Sequence, residues 1–137
     1  MKGVYTLVIE AEAKVEFKTR SRSFKLGKGF YAYVGSAMNS LENRVARHLS
    51  PDKKRFWHID YLLELTTIRA VVSAQTDVKA ECQIVKHLTE LTAVRWFGCS
   101  DCSCMSHLFW DPDLSLLTEK VVKAFEKSGL HPAILLI

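Results

Sequence analysis

The chain has 137 residues, 48% apolar and 25% charged, a balance that suits one globular domain and excludes a disordered or collagen-like polypeptide. No apolar run reaches the ~18 residues of a membrane span, and no charged-then-apolar leader stands before Gly3, so a cytoplasmic protein without a membrane partner is expected. The net charge of +4 is lopsided: residues 1–60 carry twelve Lys and Arg against six Asp and Glu, net +6, and residues 61–137 carry seven against nine, net −2. A one-sided positive field suits a polyanion and predicts salt-sensitive binding, although charge asymmetry also serves solubility.

In chain order, Val4, Leu7 and Ile9 mark a strand from Gly3 to Ile9, and Val15 and Phe17 alternate in a second from Lys14 to Lys18. The two are expected to pair as a hairpin turning near Glu12. No acidic residue occurs between Glu16 and Glu42, whereas Lys18, Arg20, Arg22, Lys25 and Lys28 all do. Lys18, Arg20 and Arg22 fall on one side of an extended segment, which reads either as a contact surface for a nucleic-acid backbone or as a solvated hairpin tip. Phe30 to Val34 forms the next strand, with Tyr31 and Tyr33 on one face. Gly35, Ser36 and Ala37 are expected to break it, small residues that let the backbone turn and a ligand approach.

A helix follows, with Asn39 as its expected N-cap and Glu42 in capping-box position. Leu41, Val45 and Leu49 form its buried stripe, placing Arg44, Arg47 and His48 off it, and Pro51 closes it. Two phenols at a strand end, with two guanidiniums and an imidazole on the next helix, form a set that phosphate chemistry uses. Guanidinium forks grip phosphate oxygens, and a phenol donates a hydrogen bond or, with a lowered pKa, takes a proton. The same helix also reads as amphipathic with a solvated basic face.

Trp57, Tyr61 and Leu65 are the expected stripe of a second helix starting near Phe56, with His58 and Asp60 beside it. Thr67 to Ala74 reads as a strand. Asp77 is expected to cap a third helix whose stripe is Ala80, Ile84, Leu88 and Leu91. Glu81 falls about 20° from Leu88 on the wheel and points inward, where a carboxylate needs a partner; a buried arginine is one option. Cys99, Cys102, Cys104 and His107 crowd into nine residues, and Cys82 adds a thiol elsewhere. They suit structural Zn²⁺ held by Cys102, Cys104, His107 and either Cys82 or Cys99, or else redox-active or buried thiols. Asp111-Pro112 opens a last helix with Leu114, Leu117, Val121 and Phe125 inside, Gly129 ends it, and His131 to Ile137 adds an edge strand.

Gly3-Val4-Tyr5 and Tyr33-Val34-Gly35, followed by Arg44, resemble the two signature tripeptides and the arginine of the GIY-YIG endonuclease superfamily, with Val in place of Ile. YVGSA, NRV and ARH, in order from Tyr33 to His48, are similar to its homing-endonuclease and excision-repair members. WHIDYLL (57–63), Glu81-Cys82 and GCSDCSCMSHLF (98–109) resemble a small stand-alone branch, so the likeness covers most of the chain. The long spacing from Tyr5 to Tyr33 implies an inserted hairpin.

The pattern of elements and the resemblance together predict one α+β domain over residues 1–137, with a small antiparallel sheet of the strands at Gly3, Lys14, Phe30 and Thr67 flanked by helices. The basic hairpin is expected at about 12–29, and a Cys-rich segment plus C-terminal helix at about 98–137. The activity the resemblance implies is divalent-metal-dependent hydrolysis of nucleic acid, DNA before RNA, with repair as a setting. Glu81 would hold Mg²⁺ or Mn²⁺, Arg44 would stabilise charge on the phosphate, Tyr5 would be the general base and Tyr33 would position water or phosphate. Arg44, His48 or the metal would lower the Tyr5 pKa, His58 would join the site, and Lys18, Arg20, Arg22, Lys25, Lys28 and Arg47 would grip the backbone. The alternative is a zinc-stabilised binding module that cleaves nothing.

Overall fold

The structure, a computed structural model, describes residues 1–98 and 105–137; Cys99, Cys102 and Cys104, the thiols of the expected zinc cluster, lie outside the described residues. In chain order the elements are β1 (Gly3–Ala11), β2 (Val15–Lys18), β3 (Ser23–Leu26), β4 (Gly29–Ala37), α1 (Leu41–Leu49), α2 (His58–Leu63), β5 (Thr67–Gln75), α3 (Glu81–Lys86), β6 (Thr92–Ala93), β7 (Leu108–Asp111), α4 (Leu114–Lys127) and β8 (Ala133–Leu136). The class is α+β: a six-stranded antiparallel sheet in the order β6-β7-β4-β1-β5-β8 and a separate β2–β3 ribbon.

Both faces of the sheet are covered. Val4 and Val8 of β1 join Val34 and Val72 beneath Ile84 of α3 and Leu117, Val121 and Phe125 of α4. Tyr5, Leu7 and Ile9 face the other way with Tyr31, Tyr33 and Val71, under Leu41 of α1, Ile59 and Leu62 of α2, and Phe24 and Leu26 of β3. A strand buried on both faces needs apolar residues on both, which explains the blurred alternation of residues 3–9.

Several local expectations are corrected. The strand at Lys14 does not pair with β1; Val15–Lys18 pairs with Ser23–Leu26, and β1 is flanked instead by β4 and β5. Gly35, Ser36 and Ala37 do not end their strand, because they pair with Tyr5, Val4 and Gly3. The N-cap of α1 is Ser40, whose hydroxyl accepts from the Asn43 amide at 3.1 Å, one residue after Asn39. His48, expected off the stripe, is buried, and Leu49 is 38% exposed. The seventh residue after Leu41 returns to within about 20° of it, whereas the eighth overshoots by about 80°.

Because α2 starts only at His58, Trp57 is its cap and Leu65 lies past its end, so Ile59, Asp60 and Leu62 are the buried set. Ala80, not Asp77, precedes α3, and Asp113, not Asp111, caps α4 by accepting from the Leu116 amide. The edge strand at the C-terminus forms as β8 on β5.

Gly35 leaves no room for a side chain. A Cβ there would stand 2.5 Å from the Tyr5 hydroxyl and 2.7 Å from its ring carbon Cζ. Gly35→Ala should therefore lower unfolding free energy by about 1–3 kcal/mol in urea titrations. The loss should shrink in a Tyr5→Ala background, where the ring that the methyl strikes is gone.

Candidate functional site

The end of β4 outruns one neighbour. β7 pairs only with Phe30–Tyr33, so Gly35–Ala37 keep β1 as their strand partner among the described residues. A cleft of about 340 Å³ opens there. Tyr5, Tyr33 and Gly35–Ser36 reach it from the sheet, Arg44 from α1, and Phe56, Trp57 and His58 from the start of α2. Lys79 and Glu81 come from the start of α3, and Gly98 and His107 complete the lining. The antiparallel register sets Tyr5 opposite Gly35 and Leu7 opposite Tyr33, so both phenols emerge on one face of the sheet at the same end.

Tyr5 is 1% exposed, and its hydroxyl is 2.8 Å from His48 Nε2. Burial pushes the phenol up to about 12, against the pull of the Arg44 guanidinium, which hydrogen-bonds to it. Among the protein's own groups, desolvation penalises the phenolate more than Arg44 stabilises it, so a lowered Tyr5 pKa would need the metal as well. His48 is brought down to about 4 by burial, with Arg47, Arg44 and Lys53 opposing its charge as well, so it is neutral near pH 7. The Nδ1 atoms of His48 and His58 are buried without a hydrogen-bond partner among the described residues. Burial also lowers His58, helped by Arg22.

Arg44 is fixed at the cleft by donating to the Ser36 carbonyl at 3.1 Å, and its guanidinium lies 4.6 Å from the Trp57 ring centroid. Arg47 is committed elsewhere. It forks onto Asp60 through Nη1 and Nη2 at 2.9 and 3.0 Å, with a third bond to the Lys54 carbonyl. Asp60, 1% exposed, also accepts from the Phe56 and Trp57 amides at 2.8 and 2.9 Å. Burial works against its ionisation, but the bonds from Arg47 and the two amides prevail and hold its carboxyl below the usual range. Arg47 is therefore a structural tie between α1 and α2 and not the free phosphate ligand expected for it.

Glu81 is buried at the cleft edge, as its wheel position implies, and accepts a hydrogen bond from the Ser36 hydroxyl. Its hydrogen-bond partner among the described residues is thus a serine and not an arginine. His107, expected with the thiols, lines the cleft; among the described residues no group of three His, Cys, Asp or Glu side chains is arranged around a metal position. Lys18, Arg20, Arg22, Lys25 and Lys28 are exposed, but not as one row. The chain reverses at Thr19–Arg22, closed by the Thr19 amide to the Arg22 carbonyl at 2.8 Å. Lys18 and Lys25 stay on the outer face of the ribbon, while the Arg22 guanidinium lies 4.9 Å from the Trp96 ring. Sequence reading missed Ser36 as the Glu81 partner, Phe56 and Lys79 as lining residues, and Asp60 as the anchor. For Asp60 a signal existed, an acidic side chain three residues after the cap position Trp57.

Residues 4–130 match the family described as "Domain of unknown function DUF123". The chain belongs to that family. Comparison with curated proteins and with solved structures returned no match. The matched span contains every lining residue of the cleft, so the site is part of the DUF123 domain, whereas β8 lies outside the match.

The buried imidazole of His48 and the half-buried one of His58 predict an acid-sensitive domain. Their folded pKa lies below the unfolded value of 6.5, so the unfolded chain takes up protons first as pH falls. The stability they contribute is complete above about pH 6.5 and is lost toward pH 4, by up to roughly 3 kcal/mol for His48 alone. Urea midpoints measured across that window should fall steeply in the native protein and less steeply in His48→Gln.

Proposed function

We propose that this domain hydrolyses phosphodiester bonds in nucleic acid, DNA before RNA, with a divalent cation held through Glu81, in the manner of the GIY-YIG endonucleases that its sequence resembles. The observation that carries this reading is that Tyr5, Tyr33, Arg44 and Glu81, from four separate segments, line one cleft. A net +6 over residues 1–60 supports a polyanionic substrate. No helix among the described residues is long and apolar enough to cross a membrane, and a cytoplasmic location belongs to the same proposal.

The donor set fits a hard cation. Mg²⁺ is commonly bound through one or two carboxylates, with water and substrate phosphate completing its shell, and Glu81 brings one carboxylate to the cleft with Ser36 orienting it. When bound, such a cation offsets charge on the phosphate. Arg44, held by Ser36 and Tyr5, points a guanidinium fork into the same space and stabilises the developing charge on the phosphate oxygens. With a pKa of about 12, Tyr5 rests as a phenol. Neutral His48 at 2.8 Å can hold the phenol proton through Nε2, or in its other tautomer donate with Arg44 toward the phenolate. In this reading Tyr33, on the neighbouring strand and lining the same cleft, orients water or phosphate.

The raised pKa of Tyr5 is also what favours the second reading, a module that binds nucleic acid without cutting it. The two separate in one assay of purified protein with end-labelled single-stranded, duplex, branched and flapped DNA and an RNA hairpin, in Mg²⁺, Mn²⁺ or EDTA. The hydrolase reading expects cleavage that EDTA abolishes, lost in Glu81→Ala with affinity retained, and slowed by about 10²–10³ in Arg44→Ala. Retention without cleavage, equal in both proteins, would establish the binding module instead.

Binding should weaken steeply with salt, and Arg20→Ala with Arg22→Ala should flatten the log–log slope by about 0.7–0.9 for each phosphate contact removed. An unchanged slope would remove the hairpin from the contact surface.

A further inference from the structure

We propose that the cleft takes unpaired nucleotides, with Phe56 and Trp96 as stacking platforms for bases on either side of the bound phosphate. This rests on the nucleic-acid reading of the cleft and narrows it to single-stranded or locally opened substrate. Phe56 lines the mouth of the cleft yet is 77% exposed, and it meets Trp57 edge-on, with centroids 5.2 Å apart at 86°. Its open ring face has no core to fill.

Trp96 is the second platform. It is 54% exposed and is the sole non-glycine residue with positive φ, at 69°, among the described residues. A bulky residue adopts that left-handed backbone only against steric cost, so its place in the chain holds a strained, outward-facing indole. Two residues on, Gly98 lines the cleft. Arg22 covers the Trp96 ring at 4.9 Å, and on the same ribbon Phe24 packs edge-on against His58 of the cleft at 5.3 Å. The arginine end of the ribbon is thereby carried to the cleft side of the domain.

Exposed aromatic rings beside cationic side chains bind single strands by stacking, because every base has a π-face and every phosphate a charge. In an intact duplex the bases are stacked on each other and their faces are closed to side chains. Arg44, which lines the cleft with Phe56, provides for the phosphate that joins the stacked nucleotides.

The test is fluorescence anisotropy with labelled oligothymidylate, the matching oligouridylate and a duplex of equal length, in EDTA so that nothing is cut. Phe56→Ala and Trp96→Ala should each weaken single-strand binding about tenfold and leave duplex affinity and the salt slope unchanged, since no charge is removed. Phe56→Tyr and Trp96→Phe should restore it. Trp96→Gly, which accepts the positive φ, should show the same loss with undiminished thermal stability, separating stacking from folding. A stronger response to oligouridylate would keep the platform and make RNA its ligand. Unaltered single-strand affinity in the alanine variants, or equal losses on duplex, would overturn the stacking proposal while leaving metal- and Glu81-dependent cleavage intact. Failure of the native protein to retain any probe would overturn the nucleic-acid reading itself.

Discussion

The ladder between β1 and β4 is the constraint on which the site depends. Nine residue pairs, from Gly3 with Ala37 to Ala11 with Gly29, lock two strands that are buried on both faces. Side chains alternate along a strand, so a one-residue slip of either strand would send its phenol, Tyr5 or Tyr33, into the core under α3 and α4 and bring Val4 or Val34 to the cleft. Gly35 guards this register from the other side, because Tyr5 lies over it where any side chain would collide. The phenols are thus placed by backbone pairing, before any helix contributes.

Around that ladder the helices are tied by polar contacts in little solvent. Asp60 accepts four bonds from three residues, two from the fork of Arg47 on α1 and one each from the amides of Phe56 and Trp57 ahead of α2. A buried carboxylate so engaged costs desolvation and contributes modestly to stability, yet it specifies where the two helices meet. The consequence reaches the cleft: Trp57 sits with Arg44 and Arg47 guanidiniums 4.6 and 4.5 Å from its ring, and Arg44 is held facing Tyr5 and Ser36. Burial that orients the site also sets its protonation, keeping Tyr5 a phenol and His48 a neutral imidazole at neutral pH.

Much of this was legible from local pattern. The strands expected at residues 3–9, 30–34 and 67–74 announce themselves by β-branched and aromatic content and form the centres of β1, β4 and β5, and the inward turn of Glu81 follows from its place beside Leu88 on a helical wheel. Where local signals were degenerate, the reading missed by one step. Asn39 and Ser40 are both good caps, and Asp111 and Asp113 flank the same proline; which of each pair caps depends on how the preceding strand delivers the chain. His48 and Leu49 compete for the same inner face of α1, and the polar one takes it because Tyr5 supplies a partner there.

The sequence by itself determined the α+β class, the strand–helix order around Tyr33 and Arg44, and the residue types able to handle a phosphate, because these follow from periodicity, capping and side-chain chemistry within a few residues of each other. Only the tertiary structure decided that β2 turns back on β3 and leaves β1 to β4 and β5, that Arg47 belongs to Asp60, and that Ser36 holds Glu81. It alone decided that Tyr5 and His48 are desolvated together. Pairing partners and desolvation are set by groups distant in the chain, and no local pattern encodes which of several suitable partners will arrive.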